Sequence, residues 1–141
     1  MIGFTGTRQG MTDEQKLMVM DMLTQLEPAQ VFHGDCTGAD ADFDYICKGL
    51  GIIREIYPGT DAYGLSPTRA YCDAEIQHKS LPYLVRDKII AEKGVDGLMA
   101  CPKSVHEERR SGTWATVRYA RKLGRRVWIL YPGGSFKIER G

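Results

Sequence analysis

"MIGFTGTRQGMTDEQ", residues 1–15, joins an apolar run to a helix start through Gly6-Thr7-Arg8. Ile2 to Thr5 reads as a strand, and Thr12 with Gln15 three residues later reads as a capping box opening a helix to about Leu26. A small-residue turn between strand and helix brings backbone N–H groups to the positive end of a helix, where anions bind. The same strand, turn and helix order recurs along the chain, and that recurrence decides the fold.

Working outward, Val31-Phe32 ends a second strand at His33-Gly34-Asp35, and a helix from about Ala39 to Leu50 carries Phe43, Ile46, Cys47 and Leu50 on one face. Ile52 to Tyr57 reads as a third strand stopped by Pro58-Gly59. A helix over Tyr83 to Glu92, a strand over Gly97 to Ala100, a helix over Gly112 to Leu123 and a strand over Val127 to Tyr131 complete the series. Strands alternating with helices predict an α/β fold: a Rossmann-like, doubly wound, mostly parallel sheet of about five or more strands with helices on both faces. The whole chain, 1–141, is expected to form one domain. Residues 58–81 carry weak patterning and are expected to be a binding loop or lid. The closing "GGSFKIERG" reads as a short tail.

Composition excludes several classes. Apolar residues are 43% and charged residues 26%, the balance of an ordinary globule. No apolar run approaches the ~18 residues that span a bilayer, and no secretory leader pattern opens the chain, so a cytoplasmic protein without a membrane partner is expected. Cys36, Cys47, Cys72 and Cys101 lack C-x-x-C or zinc-type spacing and read as idle thiols; no metal site is expected. Net charge is +1, yet residues 1–101 hold 9 Lys/Arg against 15 Asp/Glu and residues 102–141 hold 10 against 3. The basic C-terminal part suits an anionic partner, or a solvated face lying against the acidic half.

In a doubly wound sheet, ligands bind beyond the carboxyl ends of the strands, where strand order reverses. Three turns should converge there: Gly6 to Gly10, "HGDCTGADADF" at 33–43, and "RRSGTWATVRYA" at 109–120. Gly34 and Gly38 allow tight backbone, while Asp35 or Thr37 reads either as a helix cap or as a ligand contact. Ser111 and Thr113 flank Gly112 with hydroxyls beside unpaired N–H groups, a cradle for phosphate or ribose oxygens, with Arg110 before them. Arg8 adds a guanidinium fork, suited to two phosphate oxygens at once. Arg86 opposes the dipole of its own helix and so needs Asp87 or a ligand anion as partner. Replacing Arg8 or Arg86 is therefore expected to weaken anion binding more than folding. His33 reads as a strand-end structural histidine or a general base. Tyr57, Tyr63 and Tyr71 read as partial core or as surfaces on which a base stacks.

These segments together resemble one family. "IGFTGTR" (2–8), "HGDCTGADADF" (33–43), "YLVRDKIIAEKGVDGLMA" (83–100) and "RSGTWATVRYARKLGRRVWILYPG" (110–133) are similar, in order, to the Rossmann-like domain of the DNA-processing proteins DprA/Smf. That domain belongs to the SLOG superfamily with the LOG phosphoribohydrolases. The resemblance implies a nucleotide-type pocket formed by Gly6, Thr7, Arg8, Gly34, Gly38, Asp40, Arg86, Ser111, Gly112 and Thr113, with Arg86 matching the arginine that LOG enzymes hold near the sugar, and the reading of the turns themselves adds Asp35 and Arg110 as ligand-binding candidates. LOG enzymes also carry PGGxGTxxE, whose glutamate assists N-glycosidic cleavage. Here Thr116 stands at that position and the PGG is missing, so a catalytic carboxylate would have to come from Asp35, Asp40 or Asp87, beside Arg86.

The expected function is thus binding of a nucleotide or nucleotide-derived small molecule, a signalling nucleotide included. The alternatives are LOG-like cleavage of a nucleotide N-glycosidic bond, and DprA-like binding of single-stranded DNA by Arg118, Arg121, Lys122, Arg125 and Arg126. No cofactor is required, magnesium would accompany only a polyphosphate ligand, and the resemblance implies a homo-oligomer.

Overall fold

The computed structural model describes all residues, 1–141. In chain order the elements are β1 (Ile2–Gly6), α1 (Asp13–Leu26), β2 (Gln30–His33), α2 (Ala39–Gly49), β3 (Ile53–Ile56), β4 (Gly59–Thr60), β5 (Ile76–Gln77), β6 (Leu81–Pro82), α3 (Tyr83–Lys93), β7 (Gly97–Cys101), α4 (Gly112–Lys122), β8 (Val127–Leu130) and β9 (Phe136–Glu139). Seven strands form one sheet in the order β5-β3-β2-β1-β7-β8-β9, parallel except for β9. The pair β4 and β6 forms a separate two-stranded ribbon.

Alternation along the strands sends successive side chains to opposite faces. Ile2 and Phe4 of β1, Met99 and Cys101 of β7, and Trp128 and Leu130 of β8 meet Val19 and Leu23 of α1 and Phe43 and Cys47 of α2 in one core. Leu98, Ala100, Val127 and Ile129 point the other way, onto Ile90 of α3 and Trp114, Val117 and Ala120 of α4. Two apolar layers thus flank the sheet, which is the doubly wound arrangement the alternating pattern predicted. Gly3 permits the close fit of α3, because a Cβ there would lie 2.9 Å from the Ile90 carbonyl oxygen.

The capping box forms as read: Gln15 N–H donates to the Thr12 hydroxyl at 3.2 Å, and Thr12 N–H donates to Gln15 Oε1 at 3.0 Å. The side chain of Gln15 also reaches across the sheet's end, donating to the carbonyls of Pro102 and Leu130 at 2.9 and 2.8 Å. Three features depart from the sequence reading. The tail holds β9, an antiparallel edge strand on β8. Residues 58–81 include β4 and β5, the latter a two-residue parallel edge on β3. The start of α2 is capped by Gly38 with no side-chain hydrogen bond, so neither Asp35 nor Thr37 is its cap.

Candidate functional site

The chain runs β1 to β2 to β3 in one direction and returns through β7 to β8 in the other, so strand order reverses at β1. At the carboxyl ends of β1 and β7 lies a cleft of about 350 Å³, with walls made by the turns after β1, β2 and β7. Gly6, Thr7 and Arg8 line it from the first turn, Gly34 and Asp40 from the second, and Ser111, Gly112 and Thr113 from the third, with Arg86 and Arg110.

The first two turns fit together through their glycines. Ala39 N–H donates to the Thr7 carbonyl at 2.9 Å, a Cβ on Gly6 would lie 2.5 Å from the Ala39 Cβ, and one on Gly38 would lie 2.3 Å from the Arg8 carbonyl oxygen. Gly38 also has φ +88°, which side-chain-bearing residues rarely adopt. The Met11 N–H at the far end of the turn donates to Asp42 at 2.8 Å, so Asp42 anchors the loop to α2.

Gly38 and Asp35 do not reach the cleft. Gly38 serves the packing of one turn on the other. Asp35, fully buried at φ +54°, turns its carboxylate to residues 69–72, accepting from Arg69 Nε at 3.1 Å and from Cys72 N–H at 2.8 Å. That geometry removes Asp35 from the ligand-binding and catalytic candidates. The segment 58–81 contributes no residue to the cleft either. It docks beside it, through Thr37 N–H on the Thr68 carbonyl at 2.7 Å and Ala70 N–H on the Asp35 carbonyl at 2.8 Å, and does not lie over it as a lid. Tyr63 and Tyr71 are exposed away from the cleft, and Tyr57 is buried, stacked on His78 at 4.2 Å.

Arg86 is the floor of the cleft. Its guanidinium is buried and donates to Asp87 Oδ1 at 2.7 Å, the Gly34 carbonyl at 2.6 Å, the Tyr57 carbonyl at 3.1 Å and Cys36 Sγ at 3.3 Å. Asp87 is the partner the opposed helix dipole called for. Burial raises the Asp87 carboxyl to about 6 despite the neighbouring Arg86 charge. The hydroxyl of Thr116 lies beside that carboxyl, and its own hydrogen goes to the Gly112 carbonyl at 3.0 Å. Asp40 accepts from Cys36 N–H at 3.2 Å, and burial pushes its carboxyl above the usual range. Two carboxyls with a tendency to hold a proton thus flank one buried guanidinium.

The rim is different in character. Arg8 and Arg110 are exposed and have no carboxylate partner, whereas Lys103 lies 3.6 Å from Glu108. Ser111 caps α4 by accepting from Trp114 N–H at 3.4 Å, and the N–H groups of Gly112 and Thr113 make no hydrogen bond. Lys103, Glu108 and the Trp114 ring complete the cleft, and none of the three carried a sequence signal for it.

Other sequence candidates have structural partners. His33 is fully buried: Asp35 N–H donates to its Nδ1 at 3.0 Å, so Nε2 carries the hydrogen and donates to Asp44 at 2.8 Å. Arg54 holds the other Asp44 oxygen at 2.6 Å, and these bonds keep Asp44 below the usual carboxylate range in spite of its burial. The ligand atoms of His33, Asp44 and Cys72 lie within 4.8 Å of one another, yet the first two are bound to each other and Arg54 stands against any cation there. On α4, Arg121 grips Glu139 through Nε and Nη2 at 2.7 and 2.8 Å and Glu107 through Nη1 at 2.9 Å. Arg118 also holds Glu107, and Arg125 donates to the carbonyls of Ala91 and Glu92. Much of the basic helix is therefore internally neutralised. No helix is long and apolar enough to cross a membrane. Compared with models of known protein families, with curated proteins and with solved structures, the chain finds no match.

Proposed function

We propose that the chain binds a nucleotide or nucleotide-derived small molecule in the cleft at the carboxyl ends of β1 and β7. One observation carries this reading: Gly112 and Thr113, whose N–H groups are unpaired, line the same cleft as two arginines without carboxylate partners, Arg8 and Arg110. Backbone donors at a helix start and guanidinium forks are the two devices by which proteins hold phosphate oxygens. The cleft's volume of about 350 Å³ admits a ligand of nucleotide size. Membership of the SLOG superfamily, implied by the resemblance of residues 2–8, 33–43, 83–100 and 110–133, belongs to the same proposal.

A second reading rests on Asp87. A carboxyl held near pH 6 in a ligand cleft is poised to donate a proton to a leaving group, which suits hydrolysis of an N-glycosidic bond. Its position beside Thr116 puts it close to where the LOG-type glutamate is missing from the sequence.

The test is a thermal-shift screen of the purified chain against nucleoside mono-, di- and triphosphates, cyclic and NAD-derived nucleotides, and a short single-stranded DNA. A ligand at about 100 times its Kd adds about 2.7 kcal/mol of stability. A shift with a free nucleotide that shrinks in Arg8→Ala supports the proposal. A shift with DNA alone, fading as salt rises, overturns it in favour of strand binding. Base release measured on any nucleotide that binds, lost in Asp87→Asn, separates the second reading from simple binding.

A further inference from the structure

β9 ends the sheet and its outer edge is uncovered. Tyr131 N–H donates to the Ser135 carbonyl at 2.9 Å, and the antiparallel register runs from Leu130 opposite Phe136 to Val127 opposite Glu139. Alternation in such a ladder turns the backbone groups of Ser135, Lys137 and Glu139 inward to β8, and those of Phe136, Ile138 and Arg140 outward. The side chains of Phe136 and Ile138 are 62% and 42% exposed, and they border an apolar groove of about 270 Å³ shared with Met18, Met22 and Trp128. Lys137 and Glu139 stand on the opposite face, 3.5 Å apart.

The geometry points to antiparallel pairing of β9 with β9 of a second copy of this chain, centred on Ile138. That register uses every outward N–H and C=O from Phe136 to Arg140, about six inter-chain hydrogen bonds. It sets Lys137 opposite Glu139 of the second copy, and Glu139 opposite Lys137, at the close-approach positions of the ladder where cross-strand charges act most strongly. It also sets Phe136 opposite Arg140, a ring against a guanidinium. Moving the centre by one residue keeps the outward groups facing each other but sets Lys137 opposite Lys137, or Glu139 opposite Glu139, so that like charges meet on the axis. Moving it by two, to Phe136, sets Lys137 opposite Ser135 and loses both charge pairs. The sequence of the edge is thus complementary to itself in one register. A lysine on an edge strand ordinarily blocks pairing; here each Lys137 already lies 3.5 Å from Glu139 of its own chain, a carboxylate also held by Arg121, and pairing sets the Glu139 of the other copy opposite it as well. The groove beside Phe136 and Ile138 continues across the two-fold axis, so both copies cover apolar surface in the same step.

The test is sedimentation velocity over a wide concentration range on the full chain and two variants. Lys137→Glu places like charges opposite each other at both charge pairs and is expected to weaken the dimer roughly tenfold or more. Ile138→Pro removes an outward N–H and leaves the bonds to β8 intact, and is expected to give a monomer of unchanged circular dichroism. A wild-type chain that stays monomeric throughout overturns the inference. So does a dimer that both folded variants retain, since its interface then lies elsewhere.

Discussion

Nη1 of Arg86 donates to the carbonyl oxygen of Gly34 at 2.6 Å, tying the start of α3 to the end of β2 beneath the cleft. A Cβ on Gly34 would lie 2.2 Å from that nitrogen, so the glycine is the space in which the guanidinium sits. The side chain that the resemblance assigned to a ligand therefore also holds the site together. Removing one member of a buried ion pair strands the other, at a cost of about 3–5 kcal/mol.

Arg86→Ala is thus expected to lose about that much stability in urea denaturation, more than it loses through any ligand contact. This reverses the expectation from sequence that its loss would be felt mainly in binding. Gly34→Ala should destabilise by a comparable mechanism, by pushing the guanidinium off Tyr57 and Asp87. An Arg86→Ala protein as stable as wild type would show that the four hydrogen bonds on this side chain contribute little.

Arg8 offers the contrast. It is exposed and has no carboxylate partner, so Arg8→Ala should change stability by no more than about 0.5 kcal/mol. If its guanidinium holds a phosphate, affinity should fall about tenfold, the value of one charge-assisted contact at a partly solvated site. Isothermal titration with whichever nucleotide the screen identifies measures this. Equal affinity in the variant removes Arg8 from the site.

Asp87 makes a pH prediction whose sign follows from its burial. Its folded value, about 6, lies above that of an unfolded aspartate, so the native state holds a proton that the unfolded state releases. The resulting stability is fully present below the ordinary carboxylate range and is lost as pH rises through about 6. Between those limits the loss approaches about 1.4 kcal/mol per pH unit for this one group. Asp44, held low by His33 and Arg54 in spite of its burial, and Glu107 and Glu139, held low chiefly by Arg121, act in the opposite sense as pH falls. The comparison of wild type with Asp87→Asn isolates this carboxyl: stability of the variant should fall less steeply than that of wild type from about pH 4 to 6. Parallel curves would mean that Asp87 titrates as it does in water.

The parts of the fold legible in sequence were those whose burial is dictated locally. Ile2 and Phe4, or Val127 and Ile129, sit in runs long enough to fix a strand, and the capping box at Thr12 fixes a helix start. β5 was not legible, because two exposed residues, Ile76 and Gln77, pair with β3 only where the chain happens to be delivered. β9 has the strand period in Phe-Lys-Ile-Glu, but four residues with charged alternate positions look like a tail until β8 supplies the partner. In the site, the turns after strands were readable as turns. What could not be read was the direction of a side chain: φ +54° at Asp35 carries its carboxylate to Arg69 and away from the cleft, while Lys103 and Glu108 arrive from a stretch without periodicity.

Gly38 and Gly112 separate two uses of glycine that the sequence grouped in one pocket. Gly38 has φ +88°, and a Cβ there would lie 2.3 Å from the Arg8 carbonyl oxygen, which is backbone and cannot swing aside. Gly38→Ala should therefore cost about 1–3 kcal/mol in conformational strain before the clash is counted, and it should prise the turn after β1 from the start of α2. Binding would fall with it, although Gly38 touches no ligand position. Gly112 begins α4 with nothing within 4 Å of an added Cβ. Alanine there should stabilise the helix by about 0.5–1 kcal/mol. Its methyl group would project beside the unpaired N–H of Thr113, so a bound phosphate should be crowded and affinity should drop while the melting temperature rises. Urea denaturation and nucleotide titration on the two variants read both axes. If Gly112→Ala raised stability and left affinity untouched, the start of α4 would not be where the anion sits.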